Sequence, residues 1–191
     1  GKATVNTTCN CPGYIVIAGQ RYSCHKKTGH GTQNLVQATQ NSCNPFFISL
    51  GQSIGASTFS KYFKAFGLTE KTGIDLSGEA TSQYHKEQNM GPTELASTSF
   101  GQTFKITPIQ LITAISAAVN GGTLVKPHVV SKILDTDGNI VKSYPTVKRR
   151  QVISKKTSEL VRTLMEAVVD GGGGQNAYVS GYRIGGKTGT S

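Results

Sequence analysis

The sequence predicts an α+β fold, in which strands and helices occupy separate stretches of the chain. Two strand-like segments come first, a pair of apolar helices follows, and a second strand pair precedes the last long helix. This order lacks the regular strand–helix alternation that is typical of a parallel sheet. Apolar residues make up 36% of the 191 residues, which is enough for one domain or a large piece of one.

The first 33 residues are rich in loops and hold three of the four cysteines. Within them, the apolar run Tyr14–Ile17 and the segment Gln20–Ser23 flank the dipeptide Ala18-Gly19. Two short strand-like segments around a tight glycine turn predict a β-hairpin.

Residues 34–66 have the pattern of helices. Leu35–Gln40 is helix-like, and the polar segment 41–45 interrupts it. Pro45 fits the first turn of a new helix, where its missing N–H costs nothing. Large apolar residues then recur at helical spacing as far as Phe66, which predicts a buried helix followed by a shorter one.

Residues 67–107 contain many Gly, Ser and Thr residues and are predicted to be irregular. Thr107 and Pro108 then provide an N-cap and a first-turn proline for a helix that ends at Asn120. Its apolar residues are expected to face the core: Ile109, Ile112, Ile115, Ala118 and Val119.

The remaining chain predicts a hairpin, a helix and a final strand. Residues 127–134 and 140–147 flank Asp137–Asn139, whose Asp-Gly pair is a hairpin signal. Residues 154–169 form an amphipathic helical pattern, and residues 182–190 are predicted to be a strand.

The net charge of +10, from 20 basic and 10 acidic residues, favours anionic partners. The basic residues are scattered in the short clusters 26–27, 148–150 and 155–156, and no aromatic residues lie among them. This pattern favours a solvated basic face over nucleic-acid binding. No apolar stretch approaches the roughly 20 residues of a membrane span.

Two short motifs carry the chemistry. Ser42-Cys43-Asn44 is an S-x-N sequence between two helices, and Lys187–Thr190 is a K-T-G-T sequence after two glycines. Together with their flanks, they resemble the transpeptidase domain of class B penicillin-binding proteins of the elongation and sporulation type. The supporting stretches are Gly29–Gly31, Gln40–Pro45, Thr72–Glu79, Ser99–Gln102, Thr107–Leu111, Asn120–Gly122, Lys126–Val130 and Gly185–Thr190.

The resemblance implies a serine β-lactamase/penicillin-binding transpeptidase-like fold, here incomplete, in one partial domain over residues 1–191. Within it, residues 1–33 would form a Cys-rich hairpin region and residues 34–66 the helices around S-x-N. Residues 67–191 would supply a loop, further helices and the K-T-G strand. The implied activity is peptidoglycan D,D-transpeptidation through an acyl-serine intermediate, with stem peptides and β-lactams as ligands and no nucleic acid.

The resemblance also implies roles for individual residues. Ser42 would relay a proton, Asn44 would hold a catalytic lysine and the substrate amide, and Lys187 would supply charge and orient Ser42. The substrate carboxylate would bind the K-T-G-T strand, and the last backbone N–H of that strand would form half of an oxyanion hole. The substrate-binding residues would be Thr188, Gly189 and Thr190.

The nucleophilic serine of this family lies in an S-x-x-K helix, which we expect to precede this chain. The letters also occur at Ser23–Lys26, but Ser23 ends a predicted strand and so lacks the helical geometry that the chemistry needs. A second K-T-G, Lys71–Gly73, lies in a predicted loop. We therefore expect the chain alone to be inactive. A β-lactam-hydrolysing or β-lactam-sensing domain of the same fold, or a basic zinc-binding interaction module, is the alternative.

Cysteine and histidine residues near the N-terminus suggest a structural zinc site, although catalysis in this family requires no cofactor. At most four of these residues could bind one tetrahedral ion: Cys9, Cys11, Cys24, His25 and His30. A Cys9–Cys24 or Cys11–Cys24 disulfide, or reduced thiols, would explain the same residues. Cys43 lies within S-x-N and is predicted to face the core as a buried thiol.

The family resemblance also implies a cellular setting. The protein would act on the extracytoplasmic face of the bacterial membrane, anchored by a segment outside this chain, with other cell-wall synthesis proteins as partners. Disulfides are possible in that compartment, so the cysteine alternatives stay open.

Overall fold

The computed structural model describes residues 3–189 and has the predicted α+β composition. The chain forms two compact units, each built from separate stretches of sequence. The first comprises Gly1–Ser60, His85–Phe104 and Leu160–Ser191, and the second comprises Lys61–Tyr84 and Lys105–Glu159.

The first unit begins with two antiparallel strand pairs. Strand β1 (Thr8–Cys11) pairs with β4 (Gly31–Asn34), and β2 (Tyr14–Ile17) pairs with β3 (Gln20–Ser23). Ala18-Gly19 connects β2 to β3, so the predicted hairpin is confirmed.

Three helices follow, as predicted. Helix α1 (Leu35–Gln40) begins with a capping box, in which the Asn34 side chain accepts a hydrogen bond from the Gln37 N–H. Helix α2 (Asn44–Ile54) has Pro45 in its first turn, and helix α3 (Ala56–Ala65) follows it. Gly55 separates α2 from α3 at a φ of 84°, a conformation that glycine adopts without strain.

One prediction for residues 67–107 was wrong, because this segment contains helix α4 (Pro92–Ser99) and a 3₁₀-helical turn at Glu87–Asn89. Helix α4 is rich in Ser and Thr, which are weak helix formers, so its stability comes from packing. Its Leu95 and Ala96 are buried, and a Cβ at Gly51 of α2 would lie 1.8 Å from the Ser99 Oγ. Gly51 therefore allows the two helices to approach closely.

Helix α6 (Lys155–Gly171) confirms the predicted helix over residues 154–169. The Ser154 hydroxyl accepts a hydrogen bond from the Thr157 N–H at its start, and Val168 and Val169 are buried near its end. The predicted strand over residues 182–190 was wrong for the described part, 182–189, which contains no strand. A strand needs a hydrogen-bonded neighbour, and none of the described strands pairs with this segment.

The second unit contains helix α5 (Pro108–Val119), capped by Thr107 as predicted. The predicted inward face was wrong, because Ile112 is 58% exposed and Ile115 is 36% exposed. The Gln110 side chain explains the difference, since its amide donates to the Glu70 carbonyl and the Ser82 hydroxyl. The buried residues of α5 are Gln110, Thr113, Ala114 and Ala117.

Two further antiparallel pairs complete the second unit. Strand β5 (Thr123–Lys126) pairs with β8 (Val147–Gln151), and β6 (Lys132–Leu134) pairs with β7 (Ile140–Ser143). The predicted hairpin is confirmed as β6–β7, but its strands are shorter than the predicted 127–134 and 140–147. The β5–β8 pair was not predicted. Every helix within residues 3–189 is too short or too polar to span a lipid bilayer.

Candidate active site

Ser42 lies in the turn that ends α1. The Ser42 N–H donates to the Thr39 carbonyl at 3.2 Å, and the Cys43 N–H donates to the Ala38 carbonyl at 3.0 Å. These two bonds form a Schellman motif, in which the residue after the C-cap adopts a left-handed conformation. Ser42 occupies that position with a φ of 48°.

The left-handed conformation of Ser42 is unusual because glycine normally occupies this position of a Schellman motif. A residue with a Cβ is disfavoured there by about 1–2 kcal/mol. Such strain persists where the surrounding structure imposes it, and it is common at functional sites. The left-handed conformation places the Ser42 hydroxyl at the junction between α1 and α2.

The Lys187 side chain reaches that hydroxyl. Its Nζ donates to the Ser42 Oγ at 2.7 Å, and to the Thr188 carbonyl and hydroxyl at 3.1 and 3.2 Å. Partial burial lowers the pKa of Lys187, because desolvation disfavours the ammonium form. The structure therefore brings together the S-x-N serine and the K-T-G lysine, which are 145 residues apart.

Three of the other predicted site residues are described, and all three are close to Ser42 or Lys187 in the sequence. Asn44 is the first residue of α2, and its Nδ2 donates to the Ser23 carbonyl at 3.3 Å. Thr188 contacts Lys187, and Gly189 is exposed beside it. Thr190 lies outside the described residues.

Helix α6 holds the segment that carries Lys187. The Gly186 N–H donates to the Met165 carbonyl at 3.1 Å. An added Cβ at Gly185 would lie 3.0 Å from the Met165 Cβ, so a larger residue would push the segment away from α6. Gly185, the first of the two glycines before K-T-G, is thus explained by close packing on a helix.

The second K-T-G sequence, Lys71–Gly73, and the S-x-x-K sequence, Ser23–Lys26, lie in different surroundings. The Glu79 carboxylate accepts hydrogen bonds from the Thr72 N–H and hydroxyl and from the Gly73 N–H, at 2.6 to 3.0 Å. Burial alone would raise the pKa of Glu79, but these hydrogen bonds outweigh it and lower the pKa. Ser23 is the last residue of β3, so Ser23 and Lys26 do not share a helix.

A second cluster, which we call the thiol cluster, adjoins the Ser42 turn. The Sγ atoms of its three cysteines and one ring nitrogen of its histidine all lie within 4.8 Å of one another. Its members come from β1, the segment between β3 and β4, and the N-cap of α2: Cys11, Cys24, His30 and Cys43. Their thiols are free, and the cysteines also belong to the core of this unit.

The structure groups three of the five predicted ligands and adds Cys43. The Cys24 Sγ lies 3.5 Å from Nδ1 of His30 and 3.9 Å from Nδ1 of His25, and only His30 joins the group. The Cys9 Sγ instead lies 3.5 Å from the Asn10 carbonyl and outside the group, although Cys9 and Cys11 share a face of β1. Sequence spacing gave no signal for Cys43, which is buried as predicted but directs its thiol into this cluster.

The environments of the thiol cluster shift its pKa values. Burial alone would raise the pKa of Cys11, but N–H donors from His30 and Gly13 outweigh it and lower the pKa. Burial raises the pKa of Cys43 and lowers that of His30, in each case by disfavouring the charged form. Burial thus favours the neutral imidazole of His30 and the neutral thiol of Cys43.

Comparison with protein families gives one match over residues 1–191, to the penicillin-binding protein transpeptidase domain. The chain is 46% identical over 180 residues to stage V sporulation protein D of Bacillus subtilis, covering 94% of the chain and 28% of that protein. It is 31% identical over 196 residues to the peptidoglycan D,D-transpeptidase MrdA of Acinetobacter baumannii, covering 97% of the chain and 29% of that protein.

Solved structures give the same result. The D,D-transpeptidase domain of a peptidoglycan glycosyltransferase from Eggerthella lenta superposes with a TM-score of 0.89 at 26% identity, over all of this chain and 49% of that one. Penicillin-binding protein 3 of Mycobacterium tuberculosis in complex with ampicillin gives the same score and identity, over 99% of this chain and 43% of that one. The chain thus spans less than a third of these curated relatives and less than half of these solved chains.

Proposed function

Because the chain belongs to the penicillin-binding protein transpeptidase domain family, we propose that it forms two walls of a serine-type peptidoglycan D,D-transpeptidase site. The full site would cross-link stem peptides through an acyl-serine intermediate and would bind β-lactams. The S-x-N turn and the K-T-G segment would be the two walls. The single observation that carries this proposal is the hydrogen bond between Lys187 and Ser42.

The direction of that hydrogen bond supports a proton relay through Ser42. The Lys187 ammonium donates to the Ser42 Oγ, so the hydroxyl proton of Ser42 remains available for a neighbouring acceptor. A hydroxyl that accepts from one side and donates to the other can pass a proton between a general base and a leaving amine. The positive charge of Lys187 would also stabilise negative charge that develops in the transition state.

The remaining site residues would bind the substrate. The hydroxyl of Thr188, already in contact with Lys187, would bind the substrate carboxylate together with Thr190. Asn44 would exchange its bond to the Ser23 carbonyl for the substrate amide and a catalytic lysine. Gly189 would allow an extended peptide to approach the backbone.

The test is intact mass after incubation with a penicillin. The only S-x-x-K in this sequence is Ser23–Lys26, which is not helical, so this chain should form no adduct. An extended form of the protein that includes the family's S-x-x-K helix should gain one stable penicilloyl adduct. An adduct on this chain, or none on the folded extended form, would contradict the proposal. Rapid loss of the adduct would indicate a β-lactam-hydrolysing enzyme instead.

Ser42→Gly separates the function of Ser42 from its structural role. Glycine fits the left-handed conformation, so we expect the variant to be about 1 kcal/mol more stable in thermal unfolding. We expect acylation of the extended form to fall about 100-fold, because the relay hydroxyl is lost. A less stable variant, or unchanged acylation, would argue against this role.

A second proposal concerns the thiol cluster, which we propose binds one structural zinc ion. Three thiolates and one imidazole are a known ligand set for structural zinc, with Zn–S distances of about 2.3 Å in a tetrahedral site. Tetrahedral geometry requires ligand atoms about 3.8 Å apart, and those of the cluster already lie within 4.8 Å of one another. The ion would brace the N-terminal strands against the turn that holds Ser42.

Elemental analysis and chelation test the zinc proposal. We expect one zinc ion per chain, and a lower melting temperature with excess chelator. Cys24→Ser should lose the ion, whereas the matched variant Cys9→Ser should keep it, because Cys9 lies outside the cluster. Absence of zinc with an unchanged melting temperature, or loss of zinc in Cys9→Ser, would contradict this proposal.

The location of the protein follows from the proposed substrate. Peptidoglycan lies outside the bacterial cytoplasmic membrane, so we propose that the protein acts at the extracytoplasmic face. A membrane anchor and cell-wall synthesis partners would belong to parts of the protein other than the described residues.

A further inference from the structure

The end of helix α6 packs against the residue two positions before Ser42. The Gln40 Nε2 donates to the Ala167 carbonyl at 3.0 Å, and the Gln40 carbonyl accepts from the Gly173 N–H at 3.2 Å. A Cβ at Gly172 would lie 2.9 Å from the Gln40 Cα. The α6 terminus and the Gln40 backbone are therefore in close contact, with a hydrogen bond on each side.

The same end of α6 also approaches the K-T-G segment. A Cβ at Gly173 would lie 3.6 Å from the Thr188 Cγ2, which is an ordinary van der Waals distance. Eight residues earlier in the chain, within α6, the Met165 carbonyl accepts a hydrogen bond from the Gly186 N–H. Helix α6 thus contacts the chain on both sides of the Ser42–Lys187 hydrogen bond.

We propose that Gln40 is a positioning residue, which docks the S-x-N turn on helix α6 and thereby sets the distance between the Ser42 Oγ and the Lys187 Nζ. Its side-chain amide joins α1 to α6, and α6 in turn holds the segment that carries Lys187. The inference rests on the proposed function, because it assigns Gln40 a role in that same site.

Gln40 can affect the position of the Ser42 hydroxyl because only one residue separates the two in the chain. The two residues belong to one Schellman turn, so a displacement of Gln40 moves the Ser42 hydroxyl with it. A hydrogen bond of 2.7 Å weakens steeply when its atoms separate, and a misplacement of about 1 Å in an active site can cost 100-fold in rate. Loss of one docking bond should cost less, because the bond between Gln40 and Gly173 remains.

The test compares Gln40→Ala with Gln52→Ala in the extended form. Gln52 is the matched control, since its Nε2 also donates to a backbone carbonyl, that of Pro92 at 2.8 Å, and it is similarly half-buried. We expect the acylation rate at saturating penicillin to fall about tenfold in Gln40→Ala, with the dissociation constant of the initial complex unchanged. Gln52→Ala should leave both quantities at wild-type values.

A second measurement follows Lys187 directly by NMR titration. Separation of the two walls would expose the amine to water, so its pKa should rise towards the ordinary lysine value in Gln40→Ala but not in Gln52→Ala. If Gln40→Ala fails to fold, the isosteric Gln40→Glu tests the same bond, because a carboxylate cannot donate to the Ala167 carbonyl.

The outcomes are distinguishable from failure of the proposed function. An extended wild-type form that is never acylated would overturn the proposed function. A wild-type form that is acylated, with Gln40 and Gln52 variants of equal rate and equal Lys187 pKa, would overturn only the role of Gln40.

Discussion

Two K-T-G sequences in this chain have the same letters and different surroundings. In Lys187–Gly189, the lysine amine donates to the Ser42 hydroxyl, and the segment packs on helix α6. In Lys71–Gly73, the Thr72 and Gly73 N–H groups and the Thr72 hydroxyl all bind the Glu79 carboxylate.

The difference between the two motifs lies in the group that each one binds. A carboxylate that accepts three hydrogen bonds closes the Thr72 turn and uses the donors that an anionic ligand would need. At Lys187 the partner is a neutral hydroxyl, which leaves the charge of the ammonium available for an anion. The Lys71–Gly73 segment therefore contributes to stability, whereas the Lys187–Gly189 segment can take part in catalysis.

The largest expected effect distinguishes the two lysines. In the extended form, Lys187→Ala should reduce the rate of penicillin acylation by about 100- to 1,000-fold, as loss of one electrostatic stabiliser typically does. Lys71→Ala should leave the rate unchanged. Stopped-flow or mass-spectrometric acylation kinetics would measure both, and equal rates for the two variants would refute the distinction.

A smaller effect, on stability, tests the structural role of the Lys71–Gly73 motif. Glu79→Gln loses the charge of an acceptor that binds three donors, and it should destabilise the protein by about 1–2 kcal/mol in urea unfolding. Because the charged Glu79 carboxylate accepts these bonds more strongly than the neutral acid would, its pKa is lower in the folded than in the unfolded state. Its contribution to stability is therefore present above the ordinary glutamate pKa of 4.5 and is lost as the pH falls through the folded-state value.

The pH dependence provides the control for Glu79. Between neutral pH and about pH 3, wild-type stability should fall more steeply than that of Glu79→Gln, so the two curves should converge in acid. Parallel curves would show that the carboxylate contributes nothing through its charge.

Local sequence signals predicted much of the fold. The Thr107 cap, the Ala18-Gly19 turn and Pro45 each specify a boundary through bonds within a few residues, and all three boundaries are confirmed. Helix α4 was missed because its Ser and Thr residues carry little helical signal, and its stability comes from packing on α2. The predicted inward face of α5 was wrong because Gln110 is buried and hydrogen-bonded to the Glu70 carbonyl, whereas Ile112 is exposed.

For the candidate site too, the sequence predicted the local motifs but not the contacts between distant residues. The motifs identified Ser42 and Lys187, but only the folded chain brings their side chains to 2.7 Å. Cys43 joined the thiol cluster without a sequence signal, since it is 19 residues from Cys24 and no regular spacing relates them. The left-handed φ of Ser42 was also not predicted, because serine is not the residue that this turn prefers.

Substitution of the two threonines should have the weakest effects, and the effects should differ between the two K-T-G segments. Thr72 is buried, and its hydroxyl donates to Glu79 and accepts from the Ile74 N–H, so Thr72→Val should cost about 1 kcal/mol of stability without changing acylation. Thr188 is exposed and contacts the Lys187 amine, so Thr188→Val should change stability by less than about 0.5 kcal/mol. Its acylation rate in the extended form should fall about fivefold, from the loss of one hydrogen bond to the substrate carboxylate. If urea unfolding and acylation kinetics instead showed both variants losing the same property, the two K-T-G segments would share one role.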